Sequence, residues 1–193
     1  MKRKILITGP AGDGKAELIR SALGGRLAEA GGYIIRVERN RDGFAERYCL
    51  LPAAAAGGVE GYEGETVLDA SSWPPAHYTE AYRETGARLL REALFYPFAV
   101  AEELGGFELL VPQFRTALCE LLDSGLPLLA TLKTPEESEQ WRTLFALGDR
   151  FTGKVEELHR RLRSDPELEI LDSSLLSDAA IREKLALWSK KWL

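Results

Sequence analysis

Cysteine, histidine, long apolar runs and an overall positive charge are all scarce in this chain, and each shortage removes a class of protein. The two cysteines, Cys49 and Cys119, form neither a disulfide framework nor a metal-binding spacing, and read as reduced thiols. The two histidines, His77 and His159, have no companions at ligand spacing, so packing or surface roles are expected of both. No stretch combines the length and freedom from charge of a membrane span. The basic start, Met1 to Lys4, meets only a short apolar run and then glycines, unlike a secretion signal. A cytoplasmic protein without membrane contact is expected. Low-complexity linkers are missing too, so residues 1–193 are read as a single domain with one well-buried core. A net charge of −5 and a pI of about 5.3 argue against nucleic acid as a partner. The charge is uneven: residues 1–50 hold ten Lys/Arg and six Asp/Glu, a net of +4, which suits an anionic nucleotide there as well as it suits solvated surface side chains.

What the chain does have is concentrated at its start. Ile5-Leu6-Ile7 is an apolar, partly β-branched run that suits a buried strand. Gly9, Pro10, Ala11, Gly12, Asp13, Gly14 and Lys15 follow at the spacing G-x-x-x-x-G-K, and from Ala16 the chain reads as an amphipathic helix. Strand, glycine loop and helix start together make a phosphate-binding loop. Glycines let backbone N–H groups converge on phosphate oxygens, the helix start adds further donors and its dipole, and Lys15 supplies an ammonium for the terminal phosphates. The alternative is a plain turn joining strand to helix. One position departs from the pattern: Ala16 stands where Ser or Thr would help to hold Mg²⁺, and a methyl group cannot.

Strands and helices then alternate. Gly24-Gly25 interrupts the first helical stretch, and Gly31-Gly32 is expected to end it. Tyr33–Val37 and Phe44–Leu51 flank the turn residues Asn40-Arg41-Asp42-Gly43 as an edge β-hairpin. The run from Pro52 to Gly64 reads as a loop and Glu65–Asp69 as a short strand. Trp73, beside Pro74-Pro75, either covers an apolar surface, the favoured reading, or stacks on a base. A helix from Thr79 to Leu94, a strand over Phe95–Ala101, a helix over Val111–Ser124 and a strand over Leu126–Leu132 follow. Helices opening at Pro135 and around Val155, a strand at Leu168–Leu171 and a helix over Ser177–Trp192 complete the pattern. This order predicts an α/β protein: a mostly parallel central sheet with helices on both faces in three layers, and a small edge hairpin.

Phosphate loops work with carboxylates at the end of another strand, and Glu102-Glu103 close the strand of FAVAEEL. A first carboxylate normally serves the Mg²⁺ shell, and its neighbour can orient or deprotonate water. Such a pair can also be solvated loop charges. The stretches GPAGDGKA, FAVAEELGGFEL and FRTALCELLDSGLPLLATLK, with GGYIIRVERNRDGF, resemble the small nucleoside-triphosphatase family of archaea, bacteria and animals. That is a RecA-like P-loop family related to the additional-strand ATPases. The resemblance implies a P-loop NTPase fold with ATP or GTP held by Gly9 to Ala16. It also implies Lys15 on the β/γ charge, Glu102 at the Mg²⁺-associated position and Glu103 as the catalytic residue holding the attacking water. Lys133 and Thr134 would lie near the γ-phosphate. Both Mg²⁺-linked positions depart from the family, at Ala16 and at Glu102 in place of Asp, so weakened Mg²⁺ binding is expected. Hydrolysis of the β–γ bond and a nucleotide-binding module without turnover both stay open, as does a relic loop acting only in protein contacts.

Overall fold

The computed structural model describes residues 1–57 and 63–193. Ile5, Leu6 and Ile7 are all buried in β1 (Lys4–Thr8), and their alternation sends Ile5 and Ile7 into one apolar cluster and Leu6 into another. The glycine loop leads into α1 (Lys15–Leu23), followed by a 3₁₀ segment (Gly24–Glu29) and the hairpin β2 (Ala30–Arg39) and β3 (Ala45–Pro52). The hairpin's turn is organised by Asn40, whose Oδ1 accepts the N–H groups of Asp42 and Phe44, each at 3.0 Å. Next come β4 (Glu65–Asp69), the short β5 (Ala76–His77) and α2 (Thr79–Ala81), which passes through a π-helical turn (Tyr82–Gly86) into α3 (Ala87–Glu92). The second half runs β6 (Phe98–Leu104), a 3₁₀ turn (Phe107–Leu110), α4 (Pro112–Asp123), β7 (Leu128–Leu132), α5 (Pro135–Leu144), α6 (Asp149–Ser164), β8 (Leu168–Asp172) and α7 (Asp178–Trp192).

All eight strands join one sheet in the order β5-β4-β3-β2-β6-β7-β1-β8. The five strands from β2 to β8 in that order run parallel, and β3, β4 and β5 continue the sheet as antiparallel neighbours. The expected edge hairpin is therefore the first part of a longer antiparallel extension. Helices cover both faces: Leu18 and Ile19 of α1 pack with Ile181, Leu185 and Trp188 of α7. On the other face Leu90 of α3, Phe114 of α4 and Phe151 of α6 close a second cluster. This is the three-layer α/β arrangement that the alternating pattern requires.

Some local expectations are corrected. Gly31-Gly32 does not end the first helix but lies inside β2, where space is the constraint: a Cβ on Gly31 would stand 2.5 Å from Ala93 Cα. The helix ends earlier, at Gly24, whose φ of +52° and N–H bond to Arg20 O close α1. β6 starts only after Pro97 and runs through Glu102 and Glu103 to Leu104 rather than stopping before them. Trp73 is 80% exposed and so covers no apolar surface; the turn in which Asp69 Oδ1 accepts the Ser71 N–H carries it outward. Within the expected Pro52–Gly64 loop, Ala53–Gly57 forms a 3₁₀ turn, and residues 58–62 lie outside the described residues. His77 packs on Phe107 and Phe145, and His159 is buried.

Candidate active site

The loop between β1 and α1 has the backbone that its glycines permit. Gly9, Gly12 and Gly14 have φ of +142°, +77° and +82°. At Gly9 the approach is also close, because a Cβ there would overlap Ser173 Oγ at 1.8 Å. Pro10, Ala11, Gly12 and Gly14 are exposed, while Asp13, Lys15 and Ala16 are half-buried. Among the described residues, the N–H groups of Ala11, Gly12, Asp13, Gly14 and Ala16 meet no protein acceptor, so the loop keeps donors for an anion. Lys15 is folded back on the loop. Its Nζ donates to the carbonyls of Gly9 (2.7 Å) and Pro10 (2.6 Å) and lies 3.1 Å from Asp13 Oδ1. Asp13 turns inward: Oδ1 accepts the Lys15 N–H at 3.2 Å, and Oδ2 accepts the hydroxyl of Ser173.

At the same ends of the parallel strands, β6 carries the two glutamates through an irregularity in its pairing with β7. Register is lost between Ala101, opposite Ala130, and Leu104, opposite Leu132. Such bulges re-aim side chains beside functional sites. Glu103 has φ of +62°, held by donation of its N–H to Thr131 Oγ1 at 2.6 Å. Its carboxylate is about one-third exposed and accepts from Lys133 Nζ at 3.2 Å. Burial opposes the charge on Lys133, but Glu103, Glu108 and Glu137 outweigh it and hold the ammonium above its usual range. The Lys133 ammonium also sits 4.3 Å over the Trp141 ring.

Glu102 faces the other way and is 1% exposed. Oε1 accepts from Arg20 Nε at 2.9 Å; Oε2 accepts from Arg20 Nη2 and from the Ile35 N–H at 2.9 Å. Burial pushes this carboxyl up, and the arginine fork and the amide oppose that. Arg20 also donates to Ile35 O at 3.0 Å, so the pair ties α1, β6 and β2 together.

The structure thus brings Gly9–Ala16, Glu103 and Lys133 to one end of the sheet, outside the carboxyl ends of the strands, where ligands of open α/β sheets bind. It adds residues that the sequence reading missed. Glu137 Oε1 stands 3.9 Å from Lys15 Nζ, linking the loop to α5. Thr134 spends its hydroxyl as the N-cap of α5, accepting the Glu137 N–H at 3.1 Å while Glu137 Oε2 accepts the Thr134 N–H at 2.9 Å. The T-x-x-E spacing of a capping box was the available signal for Glu137. Ser173 carried none, because only the placement of β8 beside β1 brings it to the loop.

The two positions expected to serve Mg²⁺ offer it no free side-chain oxygen. Ala16 offers a methyl group, the Glu102 oxygens are engaged by Arg20 and Ile35, and among the described residues no three His, Cys, Asp or Glu side chains converge as a metal site. The loop's free N–H groups are donors of the kind that phosphate oxygens accept. Comparison with known proteins gives the family. The nucleoside-triphosphatase THEP1 of Thermotoga maritima is 32% identical over 133 residues, 67% of this chain and 74% of that protein. The crystal structure of THEP1 from the hyperthermophile Aquifex aeolicus matches with a TM-score of 0.62 over 96% of this chain and 98% of that one; at 19% identity it shows the shared fold. A family model described as NTPase matches residues 4–165, from β1 through α6, and the chain belongs to that family of small P-loop nucleoside-triphosphatases.

Proposed function

We propose that this protein binds the triphosphate tail of ATP or GTP in the Gly9–Ala16 loop and hydrolyses the β–γ bond with water directed by Glu103. Membership of the family implies nucleotide binding, typically with Mg²⁺. The observation that carries the reading is the convergence of loop and bulge at one end of the sheet, with Lys15 3.9 Å from Glu137 and Lys133 3.2 Å from Glu103. Loop N–H groups and Lys15 would hold the β- and γ-phosphates, and Lys133 would face the γ-phosphate. Glu103 would accept a proton from water as its oxygen bonds to the γ-phosphorus and the bond to the β–γ bridging oxygen breaks, giving nucleoside diphosphate and phosphate. The position of β7 between β1 and β6 supports the RecA-like, additional-strand class. Unpaired thiols at Cys49 and Cys119 support a cytoplasmic setting, and no described helix is long and apolar enough to cross a membrane.

A second reading, a binding module with little or no turnover, is favoured by the same lock on Glu102 and the methyl of Ala16. Calorimetric titration with ATP and GTP, with and without Mg²⁺, combined with phosphate release, separates the two. Binding lost in Lys15→Ala and turnover lost in Glu103→Gln with binding intact is the expected result. Tight binding without turnover selects the module. Wild-type protein that binds neither nucleotide in any condition ends both readings.

A further inference from the structure

The turn that follows the bulge is tied to a carboxylate that the proposed reaction leaves unused. Glu108 is 2% exposed, and its Oε1 accepts the N–H groups of Gly105 (2.6 Å) and Gly106 (2.9 Å). The turn is fixed from two other sides, by the Ser138 hydroxyl donating to Gly105 O at 3.0 Å and the Lys133 N–H donating to Leu104 O at 2.8 Å. The fit is close, since a Cβ on Gly106 would stand 2.7 Å from Glu108 Oε2 and 3.4 Å from Lys133 Cε. Lys133 bonds Glu103 and feels the charge of Glu108. The charge of Glu108 is felt by two buried phenols on other elements, Tyr33 of β2 and Tyr82 of the π-helical turn. Burial first and Glu108 next hold both well above the ordinary phenol range.

We propose that Glu108 is a positioning residue for recognition of the terminal phosphate, fixing the Gly105-Gly106 turn beside Lys133 and Glu103 so that both groups face that phosphate. The proposal rests on the P-loop reading above. The positive φ of Glu103 is a costly conformation for a residue with a side chain, and it persists only where the surroundings over-determine it. Glu108 supplies part of that constraint through the two amides just beyond the bulge. It also supplies a charge that varies. Burial pushes its carboxyl up to about 7, against the two N–H bonds and Lys133. As pH rises through that value, Glu108 gains charge and competes with a terminal phosphate for Lys133. Glu103 adds to that competition, and Tyr33 and Tyr82 remain neutral.

The test is calorimetric titration of the full chain with the non-hydrolysable β,γ-imido analogues of ATP and GTP and with the matching diphosphates. Glu108→Ala is expected to lower triphosphate affinity about tenfold while diphosphate affinity stays within about twofold, which also reports an intact loop. Glu108→Gln keeps an oxygen for both amides and carries the test should the alanine variant fail to fold. Its triphosphate affinity should stay near wild type at about pH 6 and exceed it at about pH 8, whereas the diphosphate shows no such divergence. Equal losses for both nucleotides in Glu108→Ala, or a Gln-to-wild-type ratio that does not change with pH, overturns the positioning role while leaving the loop reading intact. Wild type that binds no nucleotide at all removes both.

Discussion

Asp13 occupies a paradoxical place, an anion inside the loop proposed to hold phosphate. Its carboxylate turns inward and meets three donors: the Lys15 N–H, the Lys15 ammonium and the Ser173 hydroxyl. With Gly9 O and Pro10 O also bound, the ammonium is held by its own loop. A phosphate must therefore displace contacts already made, and must do so beside a fixed negative charge. Asp13→Asn removes that charge and keeps one oxygen, which can accept either the Ser173 hydroxyl or the Lys15 N–H. Triphosphate affinity is expected to rise roughly three- to tenfold, about 1 kcal/mol, measured by calorimetry. The gain should shrink at high salt, because Asp13 is partly exposed and its repulsion is screened. Asp42→Asn in the exposed hairpin turn is the control and should change nothing. A weaker Asp13→Asn would mean that the carboxylate is needed to shape the loop, and the competition argument would fall.

At the scale of elements, close approach between β2 and β6 governs the middle of the sheet. Gly32 has φ of +88°, and a Cβ there would stand 2.1 Å from Val100 O, a main-chain atom held in the β2–β6 ladder. Gly32→Ala should cost about 3 kcal/mol or more, from the left-handed strain and the enforced strand separation, as read by urea unfolding. Gly25→Ala, with negative φ and open space, should stay within about 0.5 kcal/mol of wild type. An unchanged Gly32→Ala would show that the strands separate freely. The same pair marks where the sequence stopped being legible. Gly31-Gly32 after a helical stretch carries the local signature of a helix end, and only contact with Ala93 and Val100, distant in sequence, makes it strand. By contrast β1, its loop and α1 were legible because strand, turn and helix signals follow one another within a few residues. The glutamate pair was legible by position but not by orientation. The bulge that turns Glu103 toward Lys133 and leaves Glu102 with Arg20 depends on register with β7, which no local pattern encodes.

Across the whole molecule, two apolar clusters cover the two faces of the sheet, and the one beneath α1 is closed from outside by α7. The family match ends at residue 165, short of this helix, yet Ile181, Leu185 and Trp188 are fully buried against β1 and α1. Trp188 meets Phe98 edge-on with ring centres 6.2 Å apart, and its Nε1 donates to Arg3 O at 2.8 Å, so it joins β6 to the segment entering β1. Trp192 continues the contact, with Nε1 donating to Lys2 O at 3.1 Å and the Arg3 guanidinium 4.8 Å from its ring. Trp188→Ala should therefore cost about 3 to 5 kcal/mol, since a large buried ring and a hydrogen bond are lost together. Leu187→Ala, one residue away but half-exposed, should cost under about 0.5 kcal/mol. Chemical unfolding separates the two outcomes, and nucleotide titration of the Trp188 variant adds the functional half. If α7 belongs to the platform of the loop, affinity should fall only in proportion to the unfolded fraction, because no phosphate contact has been removed. A Trp188→Ala protein of wild-type stability would instead make α7 an appendage, with the sheet and α1 able to hold the loop alone.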